Sequence, residues 1–309
     1  MKALLLGANG QLGRSFVKDG RLAGMGRLST ASRDGHRFDG SAIEAVDLSS
    51  PDTLYPVLEK LRPDFIVNAA AYTAVDQAEQ EEELATRINS DAVGILGHWA
   101  RQHGALVVHF STDYVFDGTA TTPYRTFNPT GPLGAYRRSK LAGEQALAAS
   151  GADYLVFRTA WVYSAHGRNF LRTMLRLGGE RDVLEVVSDQ HGTPTSTDVI
   201  VEGTLAALET WMSAGSESKR GLCGVHHLVT SGSTTWHGFA EAIFAEAHER
   251  GLITRMPEVH AIDTRQFPTA ARRPAWSVLD NRDMVEHFGY RPPDWREALG
   301  PVMDRIVAG

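Results

Sequence analysis

The sequence predicts an α/β protein built on a doubly wound parallel sheet, with a smaller α/β part interleaved toward the C-terminus. Three observations predict it. Short apolar runs alternate with helix-like stretches through the first half of the chain. Those runs are apolar at odd and even positions alike, which is how strands covered on both faces read. The first run passes directly into "GANGQLG", a strand-to-helix turn with glycine at positions 7, 10 and 13. Such alternation favours parallel pairing through right-handed crossovers.

Each element has its own signal. "ALLLG" (3–7) is the first strand and "RLSTAS" (27–32) a weakly patterned second. "FIVNAAA" (65–71), "ALVVHFS" (105–111) and "YLVFRT" (154–159) follow as strands. Between them, "SPDTLYPVLEKL" opens on Ser-Pro-Asp and sets Leu54, Leu58 and Leu61 on one helical face. "EELATRINSDAVGILGHWARQHG" repeats apolar residues at Leu84, Ile88, Ile95 and Trp99 and stops at Gly104. Its acidic lead, Glu79 to Glu83, is a solvated first turn that suits the helix dipole. "YRRSKLAGEQALAA" is a third helix.

Beyond about residue 158 the pattern loosens. "VLEVVSD" reads as a strand, "STDVIVEGTLAALETW" as a capped helix, and "GVHHLVTSGSTTWHGFAEAIFAEAHERG" as strand, turn and helix. "SAGSESKRG" (213–221) reads as an exposed loop. Residues 1–157 are expected to bind the nucleotide, with about 183–212 returning to that unit. Residues 158–309 are expected to be mainly substrate-binding.

Composition narrows the function. The 309 residues are 42% hydrophobic and 22% charged, an ordinary globular balance. A formal charge of −6 gives no general attraction to nucleic acid or an anionic membrane. Cys223 is the single cysteine, so neither an internal disulfide nor a thiolate metal site can form. The N-terminal "ALLL" is too short for a secretory core or a membrane span, so a cytoplasmic protein is expected. There is no P-loop and no G-x-S-x-G. His226 and His227 are adjacent in a strand, so their side chains point to opposite faces.

The glycine turn points to a dinucleotide. Gly7 permits the tight turn, Gly10 lets backbone N–H groups approach a pyrophosphate, and Gly13 lets the helix pack closely. At the end of the second strand, a carboxylate would bind the ribose 2′-hydroxyl and repel a 2′-phosphate. Ser32 falls there with Arg33 beside it, a serine without charge and a guanidinium able to grip phosphate. NADPH is therefore the expected cofactor, with NADH usable. The competing reading makes Arg33 a solvated charge and gives Asp34 the ribose.

The stretch 109–147 carries the chemistry. Ser111, Thr112 and Asp113 emerge at the carboxyl end of a strand, the edge where open α/β sheets bind ligands. Tyr136 and Lys140, four apart, share one face of the helix after the loop. Reduction of a ketone by hydride leaves an alkoxide in need of a proton. A phenol with its usual pKa of ~10 is a poor partner unless tuned. A nearby ammonium favours the phenolate and brings the group toward the working range. The Thr112 hydroxyl can hold the carbonyl oxygen in line with the phenol.

These motifs together resemble the extended short-chain dehydrogenase/reductases, a Rossmann-fold family. More closely, "LRPDFIVNAAAYTAVDQAE", "VVHFSTDYVFDGT", "FRTAWVYSAHGRNF", "SDQHGTPT" and "RRPAWSVLD" resemble its dTDP-4-dehydrorhamnose reductase branch almost end to end. The resemblance implies Tyr136 as proton donor, Lys140 as its partner and Thr112 as the carbonyl-orienting hydroxyl. It implies Gly10, Gln11 and Leu12 at the cofactor phosphates. It also implies Asp47 and Leu48 near the adenine, and Ala69, Ala70 and Ala71 near the ribose. Asp113 and Trp161 match positions that touch the sugar nucleotide, although Trp161 also reads as a core aromatic.

Related activities share this fold. A 4,6-dehydratase needs a second acid after its Asp, and Tyr114 occupies that position, so dehydration is disfavoured. A 4-epimerase, another dTDP-4-ketohexose reductase, and a non-catalytic binding subunit of the same fold stay open. Some relatives hold magnesium with glutamates at a subunit interface; Ser15 and Asp198 stand at the matching positions, a poor ligand pair. No metal is expected. The expected partner is a dTDP-sugar substrate, with no nucleic acid and no membrane, and a homodimer is left open.

Overall fold

Strands β1 (Lys2–Leu6), β2 (Arg27–Ser32), β3 (Glu44–Ala45), β4 (Phe65–Asn68), β5 (Leu106–Thr112), β6 (Asp153–Thr159) and β7 (Gly224–His227) share one sheet in a computed structural model that describes residues 1–308. Every pairing is parallel, and the spatial order is β7-β6-β5-β4-β1-β2-β3. The chain runs outward from β1 through β2 to β3, then returns to the other side of β1 and builds β4 to β7. That reversal opens a crevice above the carboxyl ends of β1 and β4, where a ligand has room between diverging loops.

Both faces of the sheet are covered. On one face Phe16 of α1 (Gln11–Asp19) and Ile200, Leu205 and Leu208 of α5 (Thr197–Ser213) pack on Leu5, Val67, Val108 and Phe157. On the other, Leu54 and Leu58 of α2 (Leu54–Leu61), Leu96 and Trp99 of α3 (Ala92–His103) and Leu147 of α4 (Ala135–Ala149) cover Leu4, Ile66, Val107 and Val156. Adjacent strand residues thus serve opposite cores, which explains runs apolar on both parities. Each such fully buried side chain contributes about 1.5–3 kcal/mol.

A second core lies beyond the sheet. Val183–Val187 pairs in parallel with Glu258–Ile262, and Leu184 and Val186 pack with Phe239 and Phe244 of α6 (Trp236–Glu249), Trp295 and Leu299. Within 183–212, then, α5 lies on the large sheet while strand 183–187 belongs to the smaller layer. The large sheet also takes in β7, from a segment the sequence places in the later half.

Three local features differ from the expected pattern. Ser216–Leu222 is a short helix rather than a loop; its polar, exposed surface gives no apolar period to read. The strand expected over 65–71 ends at Asn68, and Ala69 to Ala71 turn across the crevice. The long helix over 82–103 is interrupted by one π turn, Arg87–Asp91. There Asn89 holds Tyr72 by both backbone groups (2.9 and 3.1 Å) and donates to the Ser139 hydroxyl (3.0 Å). π turns recur where a side chain must be re-aimed out of the regular ladder.

Candidate active site

The crevice is a cavity of about 920 Å³. Its first wall is the glycine turn. Gly7 has φ +79°, and a Cβ there would sit 2.7 Å from the Ala70 nitrogen. Gly10 is the N-cap of α1 and makes no side-chain cap bond, so the helix presents unused backbone N–H groups to the cavity. Such a terminus suits a phosphate. Gly13 does not line the cavity. A Cβ there would collide with the Gly7 carbonyl oxygen, so this glycine packs the helix against the turn.

The remaining residues expected at the cofactor lie on the wall: Gln11, Leu12, Ser32, Arg33, Asp47, Leu48 and Ala69 to Ala71. Gln11 has a use the sequence did not announce. Its Oε1 accepts from Ser164 Oγ (3.0 Å) and Asn169 Nδ2 (2.8 Å), and its Nε2 donates to the Arg168 carbonyl (3.4 Å). The glycine turn and the 164–169 loop are therefore bracketed together. At the end of β2, the Ser32 hydroxyl lies 2.7 Å from Asp34 Oδ1. That bond, with the His36 N–H, holds the Asp34 carboxyl below its usual value. An anion thus sits beside Arg33 on the same wall.

The opposite wall holds Thr112, Asp113, Tyr136 and Lys140. Helix α4 carries two of them and starts at Gly134, which has no capping side chain of its own. Glu79 supplies the cap from a distant loop, accepting from Ala135 N–H at 2.9 Å. A carboxylate at a helix N-terminus is favoured by the dipole. Thr112 ends β5, donates to Asp113 Oδ1 (3.0 Å) and accepts from Tyr114 N–H (3.2 Å).

Electrostatics here follow burial. Burial pushes Asp113 up to about 7, against the Thr112 hydrogen bond, the nearby Ser277 hydroxyl and the Arg137 charge, which pull it down. Its Oδ2 is buried without a partner. Burial and the Asp113 charge push the Tyr136 phenol up to about 12, with the nearby Thr112 hydroxyl opposing. The phenol is fully protonated at neutral pH, as a proton donor must be. Lys140 does not act on it as the spacing suggests. Its Nζ instead donates to the Phe110 carbonyl (2.6 Å) and lies 3.2 Å from His109 Nε2.

Trp161 lies at the cavity and stacks on Trp236, ring centroids 3.5 Å apart and planes 5° from parallel. Its φ of +45° is left-handed, a strained backbone for a bulky residue. Gly192 lies behind the indole, leaving no space for a Cβ. Among the residues at the site that the sequence did not point to are Trp236 and Arg168 on the wall, and Ser277 beside Asp113. They come from segments far along the chain, and no local spacing ties them to Tyr136.

Among the described residues no group of three His, Cys, Asp or Glu side chains is arranged to hold a metal, and no helix is long and apolar enough to cross a membrane. Ser15 Oγ bonds Thr197 Oγ1 at 2.7 Å, and Asp198 is taken by the Arg305 guanidinium.

A glycine turn at the switch point of a parallel sheet, facing a Thr-Tyr-Lys wall, defines an enzyme of the dinucleotide-binding α/β class. The family described as the RmlD substrate binding domain matches residues 1–308, and the chain belongs to that family. It is 45% identical over 305 residues to a dTDP-4-dehydrorhamnose reductase of Burkholderia thailandensis, covering 97% of each chain. It is 40% identical to the one of Salmonella typhimurium, covering 96% of this chain and 94% of that protein. The crystal structure of a Bacillus anthracis dTDP-4-dehydrorhamnose reductase in complex with NADP superposes with a TM-score of 0.85 at 31% identity, covering 98% and 99%.

Proposed function

We propose that this protein reduces the C4 keto group of dTDP-4-dehydro-6-deoxy-L-mannose, giving dTDP-L-rhamnose. The observation that carries this reading is the shared cavity wall, where a protonated phenol, a threonine hydroxyl and a lysine face the glycine turn. The near end-to-end likeness to dTDP-4-dehydrorhamnose reductases supports the substrate. A nicotinamide cofactor fits the residues present. The uncapped helix N-terminus would receive its pyrophosphate, Asp47 and Leu48 its adenine, and Ala69 to Ala71 its ribose. When bound it supplies the hydride. Thr112 orients the carbonyl oxygen, Tyr136 delivers the proton to it, and Lys140 meets the nicotinamide ribose. Asp113 and Trp161 are assigned to the sugar nucleotide. In this reading residues through β6, with α5, carry the nucleotide, and the later layer shapes the sugar pocket. Incubation with reduced cofactor and the 4-keto sugar nucleotide tests it. Stoichiometric cofactor oxidation with product of the L-rhamno configuration is expected; turnover without net oxidation would make the protein an epimerase.

NADPH is the proposed cofactor, with NADH also accepted. Arg33 is on the wall and forms no ion pair among the described residues, so its guanidinium is free for a 2′-phosphate. Asp34 opposes it and keeps the ribose hydroxyl of NADH attractive. Arg33→Ala should lower kcat/KM for NADPH about tenfold, the loss of one exposed charged contact, and leave NADH nearly unchanged. Equal loss with both cofactors would remove Arg33 from the phosphate.

No metal enters this reading. Activity should survive EDTA unchanged, because Asp198 is committed to Arg305 and Ser15 to Thr197. Inactivation by EDTA, restored by magnesium, would refute it.

A further inference from the structure

Behind Lys140 lies a buried chain of polar groups that the reaction as described does not use. Asn68 ends β4 and His109 lies in β5; both are 1% exposed, and Lys140 is 2% exposed. Ala70 N–H donates to Asn68 Oδ1 at 3.2 Å, which fixes how that amide is turned. Its NH₂ group then faces His109 Nδ1 at 3.2 Å, and Nδ1 must accept. The imidazole stays neutral, because burial alone holds its proton affinity well below the ordinary value. A neutral imidazole carries one proton. With Nδ1 accepting, that proton is on Nε2, directed at Lys140 Nζ 3.2 Å away.

An ammonium facing an N–H sets donor against donor. A neutral amine facing the same N–H accepts a hydrogen bond, and still donates to the Phe110 carbonyl. We propose that Asn68 and His109 are positioning residues which, by fixing the imidazole proton on Nε2, favour the neutral amine of Lys140 in the cofactor-free protein. Burial works in the same direction and brings Lys140 down to about 8. The charged groups around it do not cancel this. Glu144, one turn along α4, favours the ammonium but is bound by Arg158 of β6 and by the Ser111 hydroxyl. Asp113, beyond β5, acts on Tyr136 on the same helix. The π turn packed on α4 presents neutral Asn89 to it, while Arg87 and Asp91 are exposed.

The consequence is a proton taken up on binding. Ribose hydroxyls, if Lys140 meets them as in the function proposed above, accept hydrogen bonds and favour the ammonium. Cofactor binding is then linked to protonation of Lys140.

The test separates the two readings. ¹⁵N-histidine labelling of the full, cofactor-free chain, with His109 assigned by its loss in His109→Asn, reports the tautomer directly. The Nε2–H pattern is expected, unchanged across the range where free histidine titrates. An Nδ1–H pattern or a titrating ring overturns the proposal without touching the function. Calorimetry of NADPH binding at pH 8, in two buffers of different ionisation enthalpy, should show net proton uptake in the wild type. Asn68→Asp would accept from Nδ1–H and turn Nε2 into an acceptor, so uptake should fall toward zero. Undiminished uptake in that variant also overturns the proposal. Should the variant not fold, the wild-type tautomer still decides.

Discussion

Tyr136→Phe should lower kcat by about 10²–10⁴-fold, the usual weight of general acid catalysis, while the Kd for NADPH stays within about twofold. The site explains the split. The phenol stands on the cavity wall with its hydroxyl near Thr112, fully protonated because burial and Asp113 both oppose its ionisation. Phenylalanine keeps the ring, its packing against Ala78, Ala85 and Ala135, and the helix that Glu79 caps. Only the proton and one hydrogen bond are removed. Cofactor binding by fluorescence titration and single-turnover reduction would measure the two effects separately. Turnover near the wild-type rate would transfer the proton donor to another group, with Asp113, near neutrality in its ionisation, next in line.

Arg158→Met should cost about 3–5 kcal/mol of folding stability, the usual effect of stripping one partner from a buried pair. Arg158 and Glu144 meet at 2.7 Å with side chains 5% and 4% exposed. Glu144 also takes the Ser111 hydroxyl, so the pair ties α4 to both β5 and β6 directly beneath the site. Removing the guanidinium leaves a carboxylate with no water to solvate it. A second change, Glu144→Leu, should recover much of the loss, because an apolar pair pays no desolvation penalty. Urea unfolding of the two variants decides. A single variant within about 1 kcal/mol of wild type would show that water reaches Glu144.

The fold is legible in the sequence where one segment carries its own signal. β1, β5 and β6 are long and apolar on both parities, and α1 follows a glycine turn, so each could be read in isolation. β3 is two residues long, and the pieces 162–163, 191–192, 195–196 and 234–235 are shorter than any period. They exist because distant segments meet there. The π turn left no trace, since Leu84, Ile88 and Ile95 keep their spacing through it.

The same division holds for the site. Thr112, Tyr136 and Lys140 lie within 29 residues on one strand–loop–helix unit, and their order showed a common wall. Ser277 comes beside Asp113 from the far end of the chain, and His109 looked like one more member of an apolar strand. Side-chain aim was equally hidden. That Lys140 turns to the Phe110 carbonyl, and that Gln11 spends both ends of its amide on the 164–169 loop, depends on three-dimensional neighbours alone.

The Trp161–Trp236 stack has an optical consequence. Two indoles this close and nearly parallel couple their excited states. The chain has six tryptophans, of which Trp99 and Trp295 are sealed in the cores. The coupled pair lines the cavity, so its circular dichroism is expected to change when a ligand enters. Ligand entry can be followed by light on the unlabelled protein, independently of whether any reaction takes place.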